Sequence, residues 1–317
     1  MSEGRVRLTL PFALFAAILA VSTASIFIRF AQADAPSLVI AALRLTFATL
    51  LLSPFALKSH REELKHLNRS DVILAIVSGI FLAAHFATWI TSLEYTTVAS
   101  SVVFVATGPM WVALLSPVLL RERLPRAALL GLVIAVVGGI VIGFSDACTW
   151  DGGLRCADLR QILHGRAMWG NFLALIGAWT VSGYLIIGRK LRAGMALIPY
   201  IFLVYGIAGA ALIMALMVTR QSPFGYTVQS YTWILLLAVF PQLLGHSTFN
   251  WALRYLPAAF VAVTTLGEPI GSAVLAFFIL HERPSALVIA GGILILLGIY
   301  LASRGEAKTK LVPLDER

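Results

Sequence analysis

The sequence predicts an all-α membrane protein of ten transmembrane helices in two five-helix repeats of inverted topology. Three observations carry that prediction. First, 59% of the 317 residues are hydrophobic and only 12% are charged, with a mean hydropathy of +0.90. A water-soluble chain is nearer a quarter charged, so there is too little polar surface here to coat one. Second, the apolar residues fall into runs of about 20, the length a helix needs to cross the hydrocarbon. Third, the second half of the chain repeats the first.

The predicted spans are 10–30, 36–57, 72–92, 97–120, 126–144, 167–188, 197–219, 230–250, 257–280 and 285–303. The first follows Arg5 and Arg7 and precedes Ala31-Gln32-Ala33, which has the pattern of a signal-peptidase site. A signal core is about 7–15 residues, and the run from Leu8 to Ile28 is longer, so an uncleaved span is expected. Pro36, Pro125, Pro257 and Pro284 stand near span starts, where a missing N–H costs least. Most connections are short; only 145–166 is a longer polar loop.

Sliding the chain by 160 residues lays Leu93–Gly143 on Leu253–Ser303 without a gap. Twelve positions match: Leu93, Tyr95, Ala99, Val103, Pro109, Ala113, Leu115, Leu120, Glu122, Arg123, Gly131 and Gly138. Apolar bias explains some of the Leu, Val and Ala matches, but not the aligned Pro, Glu-Arg and Gly positions. The earlier parts match more loosely, with Thr23 and Ser25 on Thr180 and Ser182 at an offset of 157. Five spans per half is an odd number, so the second half must be inverted. The loop charges agree. With the N-terminus in the cytoplasm, 17 Lys and Arg lie on the cytoplasmic side and five on the other. The expected organisation is a first repeat at 1–145, a periplasmic loop at 146–166, an inverted repeat at 167–304 and a cytoplasmic tail at 305–317. Both termini are expected in the cytoplasm. Basic residues spread over short loops argue against a nucleic-acid partner, despite the net charge of +9.

Inverted repeats are the architecture of many secondary transporters. The pair SLEYTTVASSVVFVATGPMWVALLSPVLLRERL and ALRYLPAAFVAVTTLGEPIGSAVLAFFILHERP closely resembles the EamA branch of the drug/metabolite transporter superfamily. The resemblance covers nearly the whole chain. It implies an inner-membrane carrier that exports amino acids or other small metabolites. It also implies a central cavity lined mainly by spans 1, 3, 4, 6, 8 and 9, with spans 5 and 10 peripheral. Small multidrug members carry a coupling Glu in their first span; this chain has none there.

Polar groups inside lipid-embedded helices are costly, and by default face a cavity or a partner. The candidates for a substrate cavity are Ser22, Ser25, His85, Trp89, Trp179, Ser182, Tyr184, His246, Asn250 and Glu268, with Thr23, Thr88, Thr180 and Gln242 also inside spans. A Ser or Thr in such a helix also serves simply by bonding backbone. Trp89 and Trp179 lie inside their spans, away from the interfacial belt, and suit an aromatic cavity wall. Glu268 is a carboxylate in mid-span, and its repeat counterpart is Gly108. Arg44, about eight residues into span 2, lies at similar depth and is its expected partner. Should spans 2 and 9 lie too far apart, His246 or water must serve Glu268 instead. Pro109 and Pro269 are expected to bend spans 4 and 9, because each removes a backbone donor.

Glu122-Arg123 and Glu282-Arg283 read as interfacial links between spans. Gly131, Gly138, Gly291 and Gly298 suit close packing against neighbouring helices, or a dimer contact, so a monomer or weak homodimer is expected. Cys148 and Cys156, the only cysteines, share the long outer loop and are expected to form a disulfide. There is no HExxH, Gly-rich phosphate loop or CxxC, so neither an enzyme nor a bound cofactor or metal is expected. The expected partners are a small-molecule substrate and the lipid bilayer. The alternative function is a flippase for lipid headgroups or polyprenyl-linked lipids.

Overall fold

The computed structural model describes residues 3–121, 125–143, 148–150, 153–156, 165–281 and 285–306. Its helices are α1 (Glu3–Ser22), α2 (Ala24–Ala31), α3 (Ser37–Ser59), α4 (Arg61–Lys65), α5 (Arg69–Ser92), α6 (Val98–Val105), α7 (Gly108–Leu119) and α8 (Arg126–Gly143). After two short strands follow α9 (Arg166–Arg192), α10 (Leu197–Thr219) and α11 (Val228–Leu237). A π-helical stretch over Ala238–His246 then leads to α12 (Ser247–Ala252), α13 (Ala258–Thr264), α14 (Gly267–Ile279) and α15 (Ala286–Glu306). Eight helical segments are long and apolar enough to cross a membrane: Thr9–Ala31, Ser37–Ser59, Arg69–Ser92, Ser100–Leu119, Arg166–Arg192, Leu197–Thr219, Val228–Ala252 and Ala258–Ile279. Two further helices, α8 and α15, carry shorter apolar stretches, Leu129–Val141 and Ile289–Gly298.

The ends of these helices follow from local chemistry. Asn68, Thr97 and Thr227 cap α5, α6 and α11, each side chain accepting a hydrogen bond from a backbone N–H of the first turn. Pro36 and Pro257 stand just before α3 and α13. At the other end, Arg220 adopts a left-handed conformation after α10. Arg121 and His281 do the same after α7 and α14, and they are 160 residues apart.

The helix is interrupted at Ala106–Thr107 and at Thr265–Leu266, each time just before the segment that carries Pro109 or Pro269. The π-helical stretch contains Pro241, which has no N–H to give the preceding turn. Widening to the π pattern is one way a helix absorbs such a gap, and it recurs at functional sites.

Packing joins the two halves of the chain. α9 lies against α5, and α10 against α3 and α5. Small residues permit the approach: a Cβ added at Gly170 would stand 3.0 Å from the Ser92 carbonyl. α8 packs mainly against α15, and less extensively against α6 and α7. A Cβ on Gly138 would lie 2.5 Å from the Gly291 carbonyl, and one on Gly298 would lie 2.4 Å from the Gly131 carbonyl. Of the two roles foreseen for these glycines, an intramolecular helix crossing is the one they perform in this chain.

Side chains that tie helix ends together occur in both halves of the chain. Arg29 donates to the Thr96 carbonyl at 2.9 Å, and Gln32 donates to the Ile90 carbonyl at 2.9 Å. In the second half, Arg189 donates to the Leu253 carbonyl at 2.7 Å, and Arg192 donates to the Asn250 carbonyl at 3.0 Å. Loops are tied as well. Asp34 accepts from the Thr227 N–H at 2.7 Å and the Ser230 hydroxyl at 3.1 Å; Glu63 accepts from the Ala196 N–H at 2.7 Å. These backbone donors belong to helix starts that have no partner within their own helix.

The two strands, Cys148–Trp150 and Leu154–Cys156, form an antiparallel pair with Cys148 directly opposite Cys156. Glu122-Arg123 and Glu282-Arg283 lie outside the described residues.

Candidate functional site

A cavity opens where the two interrupted helices face the middle of the bundle. It is lined by His85 and Trp89 of α5, by Gly108 and Pro109 of α7, by Tyr184 of α9, by His246 and Asn250 around the π-helical stretch, and by Thr265, Glu268 and Pro269. Val102, Val105, Val181, Leu185, Phe249 and Ala262 supply the apolar part of the wall. The space is about 50 Å³, room for a few water molecules. The site is thus narrow in this conformation, and it draws on residues from both ends of the sequence.

Of the ten residues expected at a cavity, six lie on this wall: His85, Trp89, Tyr184, His246, Asn250 and Glu268. The breaks before Pro109 and Pro269 explain why. At each break the chain presents irregular backbone to the cavity, where it need not meet lipid. Glu268 is half-buried beside the second break, and its own N–H bonds the Thr265 carbonyl at 2.9 Å.

His85 donates from Nδ1 to the Gly177 carbonyl at 2.9 Å, which fixes the tautomer and leaves Nε2 as an acceptor. Its ring stacks on Trp89 at 5.7 Å and meets His246 edge-on at 6.5 Å. The Trp89 indole N–H is buried without a protein partner. The Asn250 side-chain amide donates to Tyr184 at 2.5 Å and to Tyr205 at 3.2 Å, while its carbonyl oxygen is unpartnered. Tyr205 in turn contacts the Ser247 hydroxyl at 3.2 Å. The lining therefore combines aromatic rings, an amide–phenol network and a single carboxylate.

Four candidates lie elsewhere. Trp179 is 43% exposed on the outer surface, edge-on to Trp111 at 5.6 Å. Its helix turns that face outward, and a mid-span position alone does not tell lipid from cavity. Ser182 donates to the carbonyls of Ala178 and Gly108, at 2.6 and 3.0 Å. Ser22 donates to the Ile18 carbonyl at 2.7 Å and approaches the Glu268 carbonyl at 3.4 Å. Both hydroxyls satisfy backbone at helix contacts. Ser25 is fully buried, and its hydroxyl has no partner.

Glu268 and Arg44 attract each other across the bundle but make no direct ion pair within 4.0 Å. Among the described residues the ion pairs within 4.0 Å are His60–Glu63 and Lys65–Glu62. Arg44 is fully buried and donates from Nε to the Gln242 side-chain oxygen at 2.9 Å, and its guanidinium lies 4.0 Å above the Phe86 ring.

Sequence reasoning missed Tyr205, Thr265 and the π-helical stretch. Pro241 in mid-span was the available signal for the last of these; a lone Tyr or Thr in an apolar run carries none. Among the described residues no group of three His, Cys, Asp or Glu is placed to hold a metal ion.

Comparison with known proteins bears on what such a cavity serves. A solved crystal structure superposes with a TM-score of 0.72, covering 95% of this chain and 99% of its own, at 18% identity, which speaks for the fold. The pseudopaline exporter CntI of Pseudomonas aeruginosa is 25% identical over 75% of this chain and 77% of its own. An uncharacterized transporter of Archaeoglobus fulgidus is 23% identical over 89% of this chain and 92% of its own. The uncharacterized transporter YetK of Bacillus subtilis is 24% identical, but the match spans 68% of this chain and only 63% of that relative. A model described as the EamA-like transporter family matches residues 9–144 and again residues 168–304. With most of its length matched in this way, the chain belongs to the EamA-like transporter family, and is a multi-pass membrane transporter rather than an enzyme.

Proposed function

We propose that this protein is a secondary carrier that exports small metabolites, amino acids or related compounds, by alternating access. The observation that carries this reading is the central cavity, lined from both halves of the chain and holding one half-buried carboxylate, Glu268. A carrier needs a site near the middle of the bundle that two pseudo-symmetric halves can open to either side in turn. Ten helices in two inverted halves, residues 1–145 and 167–304, fit several findings. The family match recurs twice. The glycine contacts of α8 and α15 are reciprocal. The donors Arg29 and Gln32 that tie helix ends stand 160 residues before the donors Arg189 and Arg192. In this reading both termini face the cytoplasm of a bacterial cell, and the Cys148–Cys156 hairpin faces the periplasm.

Within the cavity, Glu268 is the group on which transport turns, by holding a cationic part of the solute or by carrying a proton. His85, Trp89 and His246 form the aromatic part, suited to an apolar or cationic surface. Asn250 and Tyr184 supply hydrogen bonds. A pseudopaline exporter among the relatives supports export of a small molecule.

A second reading, a lipid flippase, draws on one feature. An apolar groove lined by Ala273, Phe277, Phe278, Ile289, Ile293 and Leu296 runs along α14 and α15 and reaches Pro269, the neighbour of Glu268. A lipid tail fits such a groove, with its headgroup at the carboxylate.

Counterflow of radiolabelled amino acids into proteoliposomes, run beside a fluorescent-lipid scrambling assay, separates the two. The carrier reading expects counterflow, and expects Glu268→Gln to insert normally yet lose flux or its pH dependence. Lipid movement with no counterflow of any amino acid or nucleoside would overturn it.

A further inference from the structure

Arg44 is fully buried in the bundle, and two of its three nitrogens have no partner. Its Nε is taken by the Gln242 side-chain oxygen at 2.9 Å, but Nη1 and Nη2 are unpartnered, and so is the Gln242 side-chain nitrogen. The side-chain groups left over here are all donors. A guanidinium is a permanent cation whose flat fork of N–H groups matches a carboxylate in two-point contact. A buried cation is costly unless an anion and full hydrogen bonding offset it. The Phe86 ring at 4.0 Å and the more distant charge of Glu268 each offset part of that cost, but no described acid lies within 4.0 Å of the fork.

We infer that Arg44 and Gln242 form a subsite for a carboxylate group of the transported solute. This rests on the carrier reading, and it adds a pole to the cavity that Glu268 does not supply. The placement is suitable. Arg44 lies against Phe86, whose ring is 5.4 Å from His246 and 4.8 Å from His85, both on the cavity wall. Gln242 sits inside the π-helical stretch, four residues before His246. A shift of that stretch by a fraction of a turn moves His246 and Gln242 together, opening the cavity toward the unfilled donors. The solute's carboxylate then completes the two-point contact with Nη1 and Nη2, and the Gln242 amide N–H donates to the same group. A neutral amide in place of the carboxylate presents a donor to donors and is rejected.

The test is binding to purified protein in detergent micelles, read by thermal stabilisation. The probes are a panel of amino acids, hydroxy acids and aromatic carboxylic acids, each paired with its primary amide. The expected result is that at least one acid binds the wild type tenfold or more tightly than its amide. Arg44→Gln should abolish that preference, and Trp179→Leu, on the outer surface, should keep it. Where Arg44→Gln does not fold, Gln242→Glu serves instead. It places an internal carboxylate beside the guanidinium, and should raise the melting temperature while removing acid binding. The inference is overturned if acids and amides bind alike, if no acid binds the wild type, or if Gln242→Glu leaves acid binding unchanged. It is also overturned if Arg44→Gln folds and keeps the preference. Failure of counterflow for every solute would instead count against the carrier reading, since the binding assay needs no transport.

Discussion

Replacing Gly298 with alanine should loosen the contact between α8 and α15, and the size of the effect follows from the geometry. An added Cβ would lie 2.4 Å from the Gly131 carbonyl, 2.7 Å from the Ala135 Cβ and 2.8 Å from the Ala135 nitrogen. Ordinary contact begins at 3.4 Å, so the helices must part by about 1 Å. Two of the three atoms are backbone, so no rotamer change relieves the clash. Overpacking of this kind costs about 1–3 kcal/mol, which is about 5- to 150-fold in the folding equilibrium. Gly138→Ala should behave alike, meeting the Gly291 carbonyl at 2.5 Å. Two nearby glycines act as controls. A Cβ at Gly139 meets only Val103 at 3.5 Å, and one at Gly292 meets nothing within 4 Å. Their alanine variants should be neutral or more stable by up to about 1 kcal/mol, since alanine is the better helix former. The double variant Gly138→Ala/Gly298→Ala should cost less than the two singles together, because parting the helices once relieves both. Thermal unfolding of purified protein, followed by size-exclusion chromatography, measures all five. Wild-type melting for Gly298→Ala, or equal losses at Gly292 and Gly298, would refute the reasoning.

Three further outcomes are expected. The Thr227 N–H bonded to Asp34 holds that carboxyl below its usual value of 3.8, so the tie is in place above that value and is lost as pH falls through the lowered one. Asp34→Asn should therefore abolish any acid-side loss of protection at the Thr227 amide in hydrogen exchange; unchanged exchange in the variant would show that the carboxylate is not the latch. The register places Cys148 and Cys156 opposite each other, with Cα atoms about 4.5–5.5 Å apart as in any antiparallel pair, within disulfide range. Mass spectrometry of unreduced, alkylated protein should find neither thiol labelled, and labelling of both would exclude the bridge. Trp89→Leu should lower counterflow several-fold while Trp179→Leu leaves it near wild type, because only Trp89 borders the cavity; equal losses would remove that distinction.

Much of this protein is determined by sequence alone. Lipid leaves a spanning segment no choice but a closed hydrogen-bonded helix, so run length and composition suffice to mark the helices. The 160-residue spacing marked equivalent positions, and Arg121 and His281 end their helices in the same left-handed turn. Glu268 was legible because a carboxylate in an apolar run has few reasons to be there. What only the tertiary structure decided is which way each helix faces. Trp89 and Trp179 are both mid-span tryptophans, yet one is 2% exposed at the cavity and the other 43% exposed on the outer surface. In a soluble helix the outward face is polar and betrays itself; in lipid both faces are apolar, and the amphipathic signal is lost. For the same reason depth along the helix did not decide whether Arg44 and Glu268 form a direct ion pair. The direction in which a side chain leaves its helix is set by neighbours far away in sequence: Phe86 and Gln242, and not Glu268, receive the guanidinium.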